Sequence, residues 1–295
     1  MPPVRALSIG LFAIFCFAIS DAAIKSALSV YDPHSLVLVR MVISVLLGIL
    51  LLRWRQQSLV IHNKTYIIAG AVLFMLEYVG FITAMQYLPL TELMVIVLMA
   101  PPVVAGLSAF VLHERLTPRQ ILALGLALIS AGVMVVWGQA DAGAATAFPA
   151  ATRWIGIALS CVCVMALAIR NVTVRLYGLQ ENAVATVVWL SGLCALMCLP
   201  FAGVVHNGIT WHTDAIVMVL IGSSAAFVGF VAFLRALQAL PASVLQPLQY
   251  TQLLWASLFG VVFFAEIPTL PVFIGAMGVV MAGLLFYAAA HHIRR

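Results

Sequence analysis

The stretches AMQYLPLTEL at residues 84–93 and ALQALPASVL at residues 236–245 share a spaced pattern that decides the fold. Their Gln, Leu and Pro residues recur at a constant offset of 152 residues, so that Pro89 of the first stretch corresponds to Pro241 of the second. A pattern kept at one offset indicates that the chain contains two copies of the same structural unit.

The repeat extends in both directions from these stretches. Glu114 recurs at the same offset as Glu266, and a segment rich in Gly and Ala follows each of them. AISDAAIK at residues 18–25 matches AIRNVTVR at residues 168–175 more loosely. The sequence therefore predicts three segments: a first repeat at 5–138, a linker at 139–152 and a second repeat at 153–290.

The composition places these repeats in a membrane. Of the 295 residues 65% are hydrophobic and 8% are charged, whereas a soluble domain carries about 25% charged residues. The apolar blocks are about 20 residues long, enough for a helix to cross the hydrocarbon core of about 30 Å, and backbone groups in lipid must be satisfied within the helix. We predict an all-α integral membrane fold with ten transmembrane helices, at 6–29, 35–52, 65–87, 92–112, 118–138, 153–174, 183–204, 214–237, 242–264 and 269–290.

Five helices in each repeat imply an inverted arrangement. Since five is odd, the second copy enters the membrane from the opposite side to the first. Two inverted halves can exchange conformations and so open a shared site to each side of the membrane in turn. This symmetry favours a secondary transporter.

Lys and Arg residues set the direction of insertion. With the N-terminus in the cytoplasm, Arg153 alone falls in an outer loop. The inner loops and ends collect Arg5, Arg53, Arg55, Lys64, Arg115, Arg119, Arg175, Arg235, Arg294 and Arg295. The positive-inside rule therefore predicts a multi-pass protein of the cytoplasmic (inner) membrane with both termini cytoplasmic. The net charge of +5 is a topology signal, and we expect no nucleic-acid partner.

The two repeats resemble a known family. Residues 87–136 and 237–287 are similar to the repeat of the EamA family of the drug/metabolite transporter superfamily, and Lys25 and Arg40 match charged positions typical of that family. The resemblance implies a ten-helix fold and transport of metabolites such as amino acids, often outward. Residues 249–266 resemble a subgroup that includes importers of S-adenosylmethionine and riboflavin, and other members export opine-type metallophores.

Charged residues inside the predicted spans are candidates for function, because a charge at the bilayer centre costs about 2.5–3.5 kcal/mol on insertion scales. Asp21 and Lys25 share a helix face, and either form an ion pair that holds the bundle together or line the substrate cavity. Glu77 either pairs with Arg40 or carries a coupling proton. Glu92 is expected to meet the outer interface.

Prolines indicate where the cavity lies. Pro101 and Pro102 interrupt the fourth span, and Pro247 interrupts the start of the ninth span, which is the equivalent span of the second repeat. The positions of Pro101 and Pro102 are occupied by Leu253 and Leu254 in the second repeat. Interrupted helices at matching positions point to a central site. The predicted substrate-binding residues are Asp21, Lys25, Tyr78, Met99, Asn171, Trp189, Gln249, Tyr250, Gln252 and Trp255. The alternative for the glutamines is interhelix hydrogen bonding.

These features favour a secondary-active transporter of a small polar or amphipathic, amino-acid-like metabolite, acting as an exporter. The alternatives are an importer of a nucleoside- or vitamin-like metabolite, an exporter of an opine-type metallophore, and, less favoured, an intramembrane enzyme or a channel. The chain lacks a phosphate-binding loop and a catalytic motif, and its five cysteines suit packing. We expect no cofactor or metal, a small-molecule substrate, a lipid bilayer around the protein, and a monomer or homodimer.

Overall fold

The computed structural model describes residues 3–97, 99–111, 118, 121–123, 125–126, 129–130, 150–178, 181–203, 212–239, 249, 251–265, 270, 273–278, 280–282 and 285. All regular structure within these residues is helical. Six of the helices are long and apolar enough to cross a membrane. The protein is therefore a multi-pass helical membrane protein.

The chain divides into two compact units, and each unit takes residues from both predicted repeats. One unit comprises Met1–Ile82 and Thr173–Leu240, and the other comprises Thr83–Val172 and Pro241–Arg295. Repeats along the sequence and compact units in space thus divide the chain differently.

The first unit contains five of the long helices. These are α1 (Pro3–Ala27), α2 (Pro33–Trp54), α3 (Lys64–Ala84), α7 (Ala183–Cys198) and α8 (Thr213–Ala239). Helix α1 packs against α8, and α2 packs against both α7 and α8. Glycines allow these helices to approach closely: a Cβ on Gly229 of α8 would lie 3.0 Å from the carbonyl oxygen of Ala13 in α1, and a Cβ on Gly48 of α2 would overlap the side chain of Val188 in α7.

Helix α2 has well-defined ends. Asp32 is its N-cap and accepts a hydrogen bond from the backbone N–H of Ser35, and Pro33 occupies the first turn, where its missing N–H costs nothing. At the other end Gln56 adopts φ 53°, a left-handed conformation that terminates the helix.

The second unit contains the remaining helices described. These are α4 (Leu90–Val97), α5 (Ala100–Val111), α6 (Ala150–Thr173) and α9 (Thr251–Phe264). Helix α9 packs against α4, and Val104 of α5 packs against Ala168 and Val172 of α6. The prediction that prolines interrupt the fourth span is confirmed, because α4 ends at Val97 and α5 begins at Ala100, next to Pro101.

The predicted spans agree with α1, α2, α3, α6, α7 and α8 to within a few residues. Two short segments were not predicted: a π-helix at Val174–Gly178 after α6 and a 3₁₀-helix at Leu199–Phe201 after α7. Most of the fifth predicted span, half of the tenth, the beginning of the ninth, and residues 139–149 of the predicted linker lie outside the described residues.

Candidate functional site

Charged side chains are buried inside the apolar helices, where charge is expensive. Those with less than 10% exposure in the helices described are Asp21, Arg40, Glu77, Glu92, Arg153 and Arg170. They include three of the charged residues selected from the sequence, namely Asp21, Arg40 and Glu77. The surroundings of each differ, and the differences indicate which are available for a ligand.

Arg40 lies in the buried face of α2 with only 2% of its surface exposed. Its guanidinium carbon lies 4.5 Å from the centre of the Tyr78 ring in α3, a cation–π contact that is stronger away from water. Tyr78 in turn makes an edge-to-face contact with Phe74, and the Phe74 ring lies 5.4 Å from the Phe230 ring of α8. Three helices therefore hold the arginine and its aromatic support in place.

One nitrogen of this guanidinium, the buried Nη1 atom, has no hydrogen-bond partner in the part of the chain that the structure describes. Most buried polar groups in proteins are hydrogen-bonded, so an exception calls for a reason. An arginine has five N–H donors in a planar fork. The donors on Nη1 of Arg40 therefore keep the capacity to bind an acceptor inside the helix bundle.

Glu77 precedes Tyr78 in α3 and is 9% exposed. Tyr78 brings α3 to Arg40 of α2, and α2 packs against α7, which carries Cys194, so α2, α3 and α7 converge at this place. We refer to Arg40, Glu77, Tyr78 and Cys194 as the Arg40 cluster. The prediction that Glu77 pairs with Arg40, and its alternative of proton coupling, both stay predictions.

Asp21 and Lys25 of α1 lie one turn apart, as the sequence indicated. Asp21 is buried and Lys25 is partly buried. In the same unit Trp189 of α7 is 41% exposed and donates its indole N–H to the carbonyl of Leu59, 2.9 Å away. The substrate-binding roles of these residues stay predictions.

The other predicted binding residues belong to the second unit. Met99 lies at the break between α4 and α5 and Asn171 is buried in α6. Gln249, Gln252 and Trp255 are partly buried at the start of α9 or just before it, and Trp255 stacks loosely on Phe259 at 6.4 Å. Tyr250 lies outside the described residues.

Glu92 is buried, and the prediction that it meets the outer interface stays a prediction. Its Oε2 atom accepts a hydrogen bond of 2.8 Å from Nη2 of Arg153 in α6, and the two side chains are 6% and 4% exposed. Sequence reasoning missed this pair, although it placed both residues at the outer ends of their spans. Opposite charges at the same membrane face were the available signal.

A second carboxylate that the sequence did not single out holds the α2–α3 connection. Glu181, which precedes α7, is buried and accepts hydrogen bonds from the backbone N–H groups of His62 and Asn63, each at 3.0 Å. The Nδ1 atom of His62 lies 3.3 Å from the same carboxylate. Asn182 also contacts Gln57, so this connection is fastened to the beginning of α7.

Asp32 lies in the connection between α1 and α2, outside the membrane helices. Partial burial acts to raise its pKa, but hydrogen bonds from Ser35 and from the Gly203 amide outweigh this effect. The pKa of Asp32 therefore lies below its ordinary value, which favours the ionised cap of α2.

The described part of the chain contains no group of three or more His, Cys, Asp and Glu side chains that could hold a metal ion. The five cysteines, all within that part, are free thiols. Cys194 and Cys198 are both buried in α7, one turn apart.

The comparison with protein families gives a match over nearly the whole chain. The model of the EamA-like transporter family matches it twice, over residues 4–136 and over residues 154–288. A solved crystal structure has the same fold, with a TM-score of 0.70 at 18% sequence identity over 99% of both chains. A comparison with curated proteins gives no match.

Proposed function

The chain belongs to the EamA-like transporter family and is a membrane transporter of the drug/metabolite transporter superfamily, and from this premise we propose that it is a secondary-active exporter of a small amino-acid-like metabolite. We infer ten membrane helices in two inverted five-helix repeats, inserted in the cytoplasmic membrane with both termini inside. The family points to a transporter rather than an enzyme. The protein works in the bilayer as a monomer or homodimer.

The observation that carries this proposal is the Arg40 cluster, because it sets a carboxylate and a guanidinium inside apolar helices. Glu77 is the neighbour of Tyr78 in α3, Tyr78 contacts Arg40 of α2, and both charged residues are buried. Ionisable groups in membrane helices mark substrate and proton pathways. Charges of opposite sign suit a substrate that carries both an ammonium and a carboxylate group.

Glu77 supplies the coupling in this proposal. A proton and the ammonium group of an amino-acid-like substrate both bind to its carboxylate, so the arrival of one displaces the other. Two inverted repeats then expose the carboxylate to each side of the membrane in turn. Where the proton gradient is directed inward, such an exchange moves protons in and the metabolite out.

Aromatic surface supports a second candidate, a metabolite with a planar ring system such as a nucleoside- or vitamin-like compound. Tyr78 and Phe74 make an edge-to-face contact beside Arg40 in the first unit. Trp255, Phe259 and Phe263 form a row along α9 in the second unit. Planar rings stack favourably on such side chains.

Counterflow in proteoliposomes tests the proposal. Vesicles that contain the purified protein are loaded with one unlabelled L-amino acid, and uptake of the same labelled amino acid is followed over time. A carrier gives saturable uptake that overshoots equilibrium, and an acidic exterior accelerates efflux. Uptake that rises linearly with concentration and lacks counterflow for every amino acid and for a nucleoside would indicate a channel or another function.

A further inference from the structure

We propose that Arg40 is the binding point for a carboxylate group of the transported metabolite, through its Nη1 atom. This inference rests on the proposed transport function and narrows its substrate class to carboxylates. The first step is energetic. A guanidinium that is 2% exposed and keeps one nitrogen without a partner among the described residues carries a desolvation cost that the fold itself does not offset.

The second step is geometric. The guanidinium carbon lies 4.5 Å from the centre of the Tyr78 ring, so the ring holds the group in place, and the N–H edge at Nη1 has no hydrogen-bond partner among the described residues. Carboxylates bind to that edge, frequently with two parallel hydrogen bonds. Tyr78 is itself held by Phe74 and, through it, by Phe230, so the arginine is orientated before any ligand arrives.

The third step concerns the neighbouring charge. Glu77 lies in the same helix as Tyr78, one residue before it, and Tyr78 contacts Arg40. A substrate with a carboxylate at Arg40 and an ammonium group near Glu77 places each of its charges beside the opposite one. A neutral amide in place of the carboxylate loses the charge-assisted bond and retains the other contact.

The burial of Arg40 also fits a transport cycle. With 2% exposure the guanidinium is closed to ligands in this conformation, and a ligand reaches it when the helices move. Alternating access requires such movement around the central site.

The test compares acids with their amides. The full-length protein in detergent micelles is titrated with each standard L-amino acid and with the matching amide, and the rise in unfolding temperature gives an apparent affinity. We expect at least one acid to bind the wild-type protein about tenfold more tightly than its amide. Arg40→Gln removes this preference, and Arg40→Lys restores part of it because the charge returns without the planar fork. Arg53→Gln, at the exposed end of α2, serves as the control and keeps the preference.

The ratio of acid to amide affinity separates binding from folding, since a loss of folded protein lowers both affinities together. A wild-type protein without acid preference for any amino acid, or an Arg40→Gln variant that keeps the preference, overturns the carboxylate site. Counterflow that treats acid and amide alike overturns the site and leaves the transport function standing. Acid-selective, Arg40-dependent binding without counterflow overturns the transport function and supports the site.

Discussion

Arg153 and Arg40 are both arginines buried in apolar helices, but their surroundings differ. Arg153, in the second unit, donates a hydrogen bond of 2.8 Å to Glu92, and neither side chain is exposed by more than 6%. Arg40, in the first unit, has its guanidinium carbon 4.5 Å from the centre of the Tyr78 ring. One arginine is matched by a carboxylate of the chain, and the other is held by an aromatic ring.

The difference separates a structural role from a binding role. A buried charge that is matched within the protein holds two helices together, and removing its partner leaves an uncompensated charge. A buried charge that is orientated but only partly satisfied keeps its capacity for a ligand. The predictions below test this distinction.

The largest expected effect comes from breaking the Glu92–Arg153 pair. Arg153→Met removes the guanidinium that the buried Glu92 carboxylate contacts at 2.8 Å, and we expect the free energy of unfolding to fall by about 3–5 kcal/mol. Denaturant titration of the protein in detergent micelles measures this change. The double variant Glu92→Leu, Arg153→Met recovers most of the loss, because an apolar pair has no charge to desolvate. Equal stability of the single variant and the wild type would show that the pair does not hold α4 to α6.

The next largest effect is expected from Glu77, which belongs to the Arg40 cluster that we assign to binding. Glu77→Gln keeps the size of the side chain and removes its proton-binding carboxylate, so we expect efflux driven by a pH gradient to fall about tenfold, equivalent to about 1.4 kcal/mol. Transport by proteoliposomes at several external pH values measures it, with membrane insertion checked by protein abundance. Asp214→Asn, an exposed acid at the start of α8, is the control. Unchanged pH dependence in Glu77→Gln would remove Glu77 from the coupling step.

The sequence was sufficient to predict much of the fold. Long apolar blocks predicted the six membrane-crossing helices, and the Pro101–Pro102 pair predicted the break between Val97 and Ala100. The π-helix at Val174–Gly178 was not predictable, because periodicity does not distinguish it from the α-helix that it continues.

The site was predicted less well than the fold. Arg40 and Glu77 stood out because charges are rare in the spans, but the contact between Arg40 and Tyr78 and the pair of Glu92 with Arg153 did not. Helices that are apolar on all sides carry little pattern to show which face meets which neighbour. Partners 61 residues apart therefore depend on packing that the sequence does not display.

Asp32 provides a reference carboxylate outside the membrane helices, where water competes with its hydrogen bonds. It caps α2 through Ser35, and we expect Asp32→Ala to lower the free energy of unfolding by about 1 kcal/mol at neutral pH. Asp32→Asn retains a capping side chain and changes stability less. Because the pKa of Asp32 is lowered, its contribution is present above the ordinary value of about 3.9. It is lost as the pH falls through the lower pKa of the folded protein. Denaturant titrations at pH values above and below this range measure it, and an Asp32→Ala deficit that persists in acid would contradict the assignment.

The smallest expected effect on stability is that of removing Arg40 itself, and it completes the comparison with Arg153. Arg40→Met loses the cation–π contact with Tyr78, worth about 0.5–2 kcal/mol. It also removes the buried Nη1 atom, which has no partner among the described residues, and with it an unfavourable desolvation term of about 1–3 kcal/mol. These two changes oppose each other, so the free energy of unfolding stays within about 1 kcal/mol of the wild type. Denaturant titration beside Arg153→Met, which carries the same substitution, measures the contrast directly. If Arg40→Met destabilises the protein as strongly as Arg153→Met does, then Arg40 is a structural anchor with its needs met inside the fold, and the distinction between a matched and an available arginine does not hold.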